Sequence, residues 1–244
     1  MLIHLVNPNT TASMTEKAAA AARAVAAPGT IVRADQPVDG PVSIEGPYDA
    51  AFAVPGMLDR IREAIEAGAD AHVIACFDDT GLDAARALSD RPVIGIGEAA
   101  FHVATLVAER FSVVTTLSRS IPVIEANLAR YGLAARCARV RAADVPVLAL
   151  EEDGSLACDR ISDEIARAIA EDRAEAIVLG CAGMTDLARR LSSRHGVPVV
   201  DGVAAAVTLA EGLVRLGIAT SKIGGWASPL AKPYTGRFAD QAPA

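Results

Sequence analysis

Ala71-His-Val-Ile-Ala-Cys76 and Ala176-Ile-Val-Leu-Gly-Cys181 are one pattern written twice, 105 residues apart. Each is a short apolar run ending in a cysteine, with turn residues directly behind it in Cys76-Phe-Asp-Asp-Thr80 and Cys181-Ala-Gly-Met-Thr185. Two further pairs fall in the same order. Arg91-Pro-Val-Ile-Gly-Ile-Gly-Glu-Ala-Ala100 answers Val197-Pro-Val-Val-Asp-Gly-Val-Ala-Ala-Ala206, and Ile3 through Thr10 answers Ser112 through Ser118 about 108 residues on. Any two buried strands look alike, but three matched pairs at nearly one spacing indicate an internal duplication.

Apolar runs at Leu2–Val6, His72–Ala75, Val93–Ile96, Phe111–Thr115, Ala176–Leu179 and Val197–Val200 read as strands. Helical periodicity covers Met57–Ala67, Leu82–Ser89, Glu98–Glu109, Ile121–Tyr131, Ser162–Ala170, Thr185–Arg194 and Ala204–Leu216. Strand, helix, strand at this rhythm predicts right-handed βαβ units. The expected fold is α/β, with two pseudo-symmetric lobes, each a mostly parallel sheet flanked by helices. Residues 1–105 form the first lobe and 106–203 the second. Residues 204–244 form a C-terminal helix, packing back on the first lobe, and a tail. Whether the tail after Gly225 is disordered or an oligomer arm stays open.

Composition agrees. Of 244 residues 52% are hydrophobic but only 4% aromatic, so the core is built from small aliphatic side chains, which suit helices packed closely on a sheet buried on both faces. A net charge of −7 and a pI of about 5.1 argue against nucleic acid, whose binding needs concentrated Lys and Arg. Met1-Leu-Ile-His-Leu-Val6 reads as a first strand rather than a signal peptide. With no apolar stretch long enough to cross a bilayer, a cytoplasmic protein without membrane partners is expected. Cys76, Cys137, Cys158 and Cys181 contain no CxxC pair, and His4, His72, His102 and His195 stand at no ligand-like spacing from them. Neither disulfides nor metal is expected. Cys137 and Cys158 lack repeat partners and read as packing residues; the histidines are assigned no role.

Open parallel sheets bind ligands beyond the carboxyl ends of their strands, so the duplication aims Cys76 and Cys181 at one cleft between the lobes. Inverting a carbon centre without a cofactor requires removing a proton from one face and returning one to the other. A thiolate and a thiol, exchanging roles with the direction of reaction, can do this. Backbone N–H groups just after each cysteine are natural donors for the enolate oxygen.

Asn7-Pro-Asn-Thr10, Ser43-Ile-Glu-Gly46, Val73-Ile-Ala-Cys-Phe-Asp-Asp79, Phe111-Ser-Val-Val-Thr-Thr116 and Leu179-Gly-Cys-Ala-Gly-Met184 together resemble the hydantoin racemases, within the aspartate/glutamate/hydantoin racemase superfamily. The resemblance runs from residue 1 to about residue 225. It implies cofactor-independent, metal-free racemisation of 5-monosubstituted hydantoins, with Cys76 and Cys181 as the catalytic thiols, in a homo-oligomer. The allantoin racemases are closely similar, so the ring's 5-substituent stays open.

Substrate-binding candidates follow. Asn9 can hydrogen-bond a neutral imide without adding charge, where glutamate racemases are expected to carry an acidic residue. Thr115 and Thr116 lie opposite it by symmetry. Ser43 and Ile44 belong to a Gly/Pro-rich loop, Val38 to Pro47, that either closes over the ligand or only connects elements. Phe77, Gly183 and Met184 follow the cysteines. Asp78 and Asp79 are expected to cap the next helix. Rival readings are an amino-acid racemase, a maleate isomerase, and a decarboxylase, which is expected to keep one of the two cysteines. Outside enzymology, a two-lobed binding protein needs neither thiol.

Overall fold

The central strands are unbroken apolar runs because both their faces are covered. In a computed structural model that describes residues 1–151 and 156–243, β1 (Leu2–Val6), β3 (Ala71–Ile74), β5 (Phe111–Thr115) and β7 (Ala176–Gly180) are buried almost throughout. They sit inside two four-stranded sheets. The first has the order β2-β1-β3-β4, with β2 at Ile31–Asp35 and β4 at Val93–Gly95. The second has the order β6-β5-β7-β8, with β6 at Cys137–Ala142 and β8 at Val199–Val200. Every pairing is parallel, and the two orders are the same. The expected α/β fold of two related parallel sheets is present.

The helices are α1 (Ala12–Val25), α2 (Pro47–Glu66), α3 (Leu82–Leu88), α4 (Ile96–Val107), α5 (Ile121–Arg130), α6 (Ala157–Asp172), α7 (Ala188–His195) and α8 (Gly202–Arg215). Residues expected to open α7 as one helix from Thr185 instead form a separate 3-10 turn, Ala182–Leu187. Helix α8 packs on α4, α1 and β3. One apolar cluster runs through both sheets, from Ile3 and Val73 through Phe101 and Phe111 to Val178 and Val207.

The tail folds back on the first sheet's helices. The Lys222 ammonium donates to the carbonyls of Arg86 and Ala87 at 2.6 and 3.1 Å, closing the end of α3, while Trp226 lies under the Arg86 guanidinium. The Gln241 amide reaches Asp59 on α2 at 2.8 Å; Ala244, the tail's last residue, lies outside the described residues. Among the described residues no helix is long and apolar enough to cross a membrane.

Candidate active site

The carboxyl ends of β1, β3, β5 and β7 converge on one small cavity. Its lining takes Asn9 from beyond β1, Cys76, Phe77 and Asp78 from beyond β3, Thr116 and Ser120 from beyond β5, and Cys181 and Ala182 from beyond β7. Met14 of α1, Ile44, Ala75, Val147 and Gly180 complete it.

Both cysteines sit in similarly built turns. The Cys181 sulfur accepts the backbone N–H of Gly183 at 3.4 Å, and the backbone N–H of Asp78 faces the Cys76 sulfur and favours its thiolate. The next N–H in each turn, Asp79 or Met184, donates back to the cysteine carbonyl at 3.0 or 3.1 Å. The N–H groups two and three residues beyond each cysteine thus face the sulfurs and close the turns. Cys76 also lies 3.3 Å from the Thr80 hydroxyl. Burial pushes its thiol up to about 12, and the neighbouring Asp78 carboxylate adds to the rise. Burial likewise raises Asp78 itself to about 6.

The two acidic residues behind Cys76 part company, and neither caps α3. Asp79, in the left-handed region at φ 50°, instead caps α4. Its oxygens accept from Gly97 N at 3.0 Å, Glu98 N at 2.8 Å and the Tyr131 hydroxyl at 2.7 Å. Burial pushes its carboxyl up to about 7 against those three donors. The approach depends on Gly95 and Gly97, because a Cβ on Gly95 would fall onto the Asp79 carboxylate and one on Gly97 onto the Phe77 carbonyl. In the other sheet the equivalent helix, α8, is capped by its own Asp201, which accepts from Val203 and Ala204 at 3.0 Å each. Asp78 is thereby left to the cavity.

Asn9 is oriented by its neighbours. Its Oδ1 accepts the Asn7 amide and the Thr11 backbone N–H, both at 2.9 Å. Its Nδ2 rests 3.7 Å from Met14 Sδ, so the donor end of the amide carries the remaining hydrogen-bonding capacity. The loop from Val38 to Pro47 reaches the cavity through Ile44. It is tied down by Thr10 N to Pro41 O and Thr11 Oγ1 to Val42 O, at 3.0 and 2.6 Å. Glu45 accepts the Val147 N–H from the opposite loop at 3.2 Å, tying the two loops together.

The structure thus brings Asn9, Ile44, Phe77, Thr116, Cys76 and Cys181 to one cavity and leaves four expected residues off its wall. Ser43, in the loop that carries Ile44, does not line the cavity. Thr115 is fully buried, its hydroxyl bonded to the Gly180 carbonyl at 3.0 Å. Met184 is spent on the core behind the second sheet. Gly183 is hemmed in by Leu150, which would stand 2.8 Å from an added Cβ. Met14, Asp78, Ser120 and Val147 were not singled out as binding residues. Ser120 stands in the loop that answers the first-strand loop, and that symmetry was the available signal; Met14 and Val147 carried none. Cys137 is half-buried on β6, its thiol pushed up to about 12 chiefly by burial. No cluster of three metal-binding side chains occurs among the described residues.

Residues 3–210 match the Asp/Glu/Hydantoin racemase family. The chain belongs to that family. It is 54% identical to a hydantoin racemase of Rhizobium meliloti over 97% of this chain and 98% of the relative. It is 43% identical to a hydantoin racemase of Pseudomonas sp. (strain NS671), over 97% and 95%. Among solved structures, an allantoin racemase from Klebsiella pneumoniae superposes with a TM-score of 0.97 at 50% identity, covering 100% of both chains. The chain is therefore an enzyme of a racemase family, which sets the binding-protein reading aside.

Proposed function

We propose that the enzyme racemises 5-monosubstituted hydantoins, with Cys76 and Cys181 as proton carriers on opposite faces of ring carbon 5. The observation that carries this reading is the pair of cysteines at matching strand ends lining one small cavity. One cysteine, as thiolate, takes the C5 proton; the C–H electron pair passes into the adjacent carbonyl as an enolate. The other, as thiol, returns a proton to the opposite face and is left as thiolate. The cycle ends with the substrate inverted and the roles exchanged, and the reverse reaction restores them. A thiol as weakly acidic as Cys76 yields a strongly basic thiolate once formed. Asn9 Nδ2 is placed to hold a ring carbonyl. The chain's similarity to an allantoin racemase structure supports a second reading in which the 5-substituent is a ureido group. The family resemblance extends the proposal to a homo-oligomer, which light scattering tests.

Single enantiomers of a 5-alkyl hydantoin, a 5-arylmethyl hydantoin and allantoin are followed by polarimetry and NMR in D2O. Wild type is expected to lose rotation with deuterium entering at C5, and the fastest substrate identifies the 5-substituent. Cys76→Ala and Cys181→Ala should each abolish inversion, and each should retain C5 exchange with only one enantiomer, a different one in each case. If both single variants racemise normally, the two-thiol mechanism is wrong.

A further inference from the structure

Among the described residues two buried side-chain polar atoms have no hydrogen-bond partner, His72 Nε2 and Thr185 Oγ1. The first lies inside a sheet, beside His4. The second lies four residues beyond Cys181, the position that Thr80 holds relative to Cys76. Thr80 and Thr185 are buried to the same degree, 6% and 7% exposed. Yet only Thr80 has its hydroxyl on a sulfur, at 3.3 Å.

The difference has a local cause. In the first turn Asp79 swings into the left-handed region to cap α4, and the chain that follows delivers Thr80 to Cys76. In the second turn the residue matching Asp79 is Met184, buried in the core. Helix α8 already has Asp201 as its cap, so nothing pulls the turn open and it stays a 3-10 helix. A buried hydroxyl left unpaired is destabilising, and such an orphan in a native fold calls for an explanation. A thiolate is an acceptor only, and a hydroxyl facing it must donate. Helical threonine has two accessible χ1 wells, so rotation about one bond is available to Thr185.

We propose that Thr80 and Thr185 are paired positioning residues, each donating its hydroxyl hydrogen bond to the thiolate of the cysteine four residues before it, so that the bond alternates between the two sides as the proton moves. Thr80 is seen in its bonded arrangement; Thr185 forms its bond when Cys181 becomes the thiolate. The catalytic half of this inference rests on the two-thiol reading above. The hydroxyl–sulfur half does not.

The test uses the full-length protein with Thr80→Val, Thr185→Val and the corresponding Thr→Ser variants. Iodoacetamide alkylation of each cysteine, which reports its thiolate fraction, is followed by peptide mass spectrometry between about pH 7 and 10. Hydrogen bonds to charged groups predict a loss of about tenfold in rate. Thr80→Val should slow Cys76 alone, Thr185→Val should slow Cys181 alone, and serine should restore both. C5–H exchange should show the same division, with each valine variant slowing the enantiomer served by its own cysteine. Unchanged alkylation of Cys181 in Thr185→Val overturns the pairing, as does equal slowing of both cysteines by either variant. If wild type racemises nothing, the mechanism has failed, while the alkylation rates still decide the hydroxyl assignment.

Discussion

At the scale of single residues, the chemistry turns on what surrounds each thiol. Cys76 and Cys181 were legible in the sequence because duplication marks them: a packing cysteine has no reason to recur at the matched strand end. Asp78 was not, since an acidic residue after a strand reads first as a helix cap. The structure gives that task to Asp79 and leaves Asp78 in the cavity wall. Above about pH 6 Asp78 is ionised, and its charge opposes a thiolate at Cys76, raising that thiol. Asp78→Asn removes the repulsion and lowers the thiol's pKa. A nearby like charge is worth about one unit or more, so alkylation of Cys76 by iodoacetamide at pH 8 should quicken about tenfold. A rate equal to wild type would show that the carboxylate does not bear on the sulfur.

At the scale of elements, strand ends and helix starts are coupled through carboxylates. Helix α8 carries its cap at Asp201, whereas α4 begins after Gly95 and borrows Asp79 from the Cys76 turn. The helix start and the turn are therefore one unit. Gly95→Ala drives a Cβ into Asp79, and forced overpacking of this kind costs about 1–3 kcal/mol. Guanidinium unfolding should show that loss, and the turn's displacement should lower kcat as well. Full activity with wild-type stability would mean that the cap is dispensable. Edge strands β2 and β6 escaped the sequence reading because they are half-exposed and carry Arg33, Asp35, Arg139 and Arg141. Such charges are expected at edges but break the apolar run that marks a buried strand. Arg141 is nonetheless buried, held by Asp172 at 2.6 Å and Glu171 at 2.7 Å. Helix α1 escaped as well, its buried face being Met14, Thr15 and three alanines.

At the scale of the whole molecule, the two sheets share a core. Phe101 of α4 is fully buried, with Phe77 of the Cys76 turn edge-on to it and Phe111 of β5 stacked against it. Its removal empties space between the sheets, and Phe→Ala in a core costs about 3–5 kcal/mol. Phe101→Ala should lower the midpoint of a single unfolding transition, with β3 and β7 amides losing exchange protection together. Separate losses in the two sheets would show that the core does not couple them.

By itself the sequence determined the α/β class, the duplication and the two cysteines, because strand burial and repeat spacing are written in residue type and order. Only the tertiary structure decided which neighbours of those cysteines face the cavity. Asp78 and Asp79 have the same chemistry and adjacent positions, and one backbone residue at φ 50° sends one to a helix and leaves the other beside the thiol. Met14 and Val147 reach the cavity from α1 and a distant loop, placed by packing that no local pattern encodes.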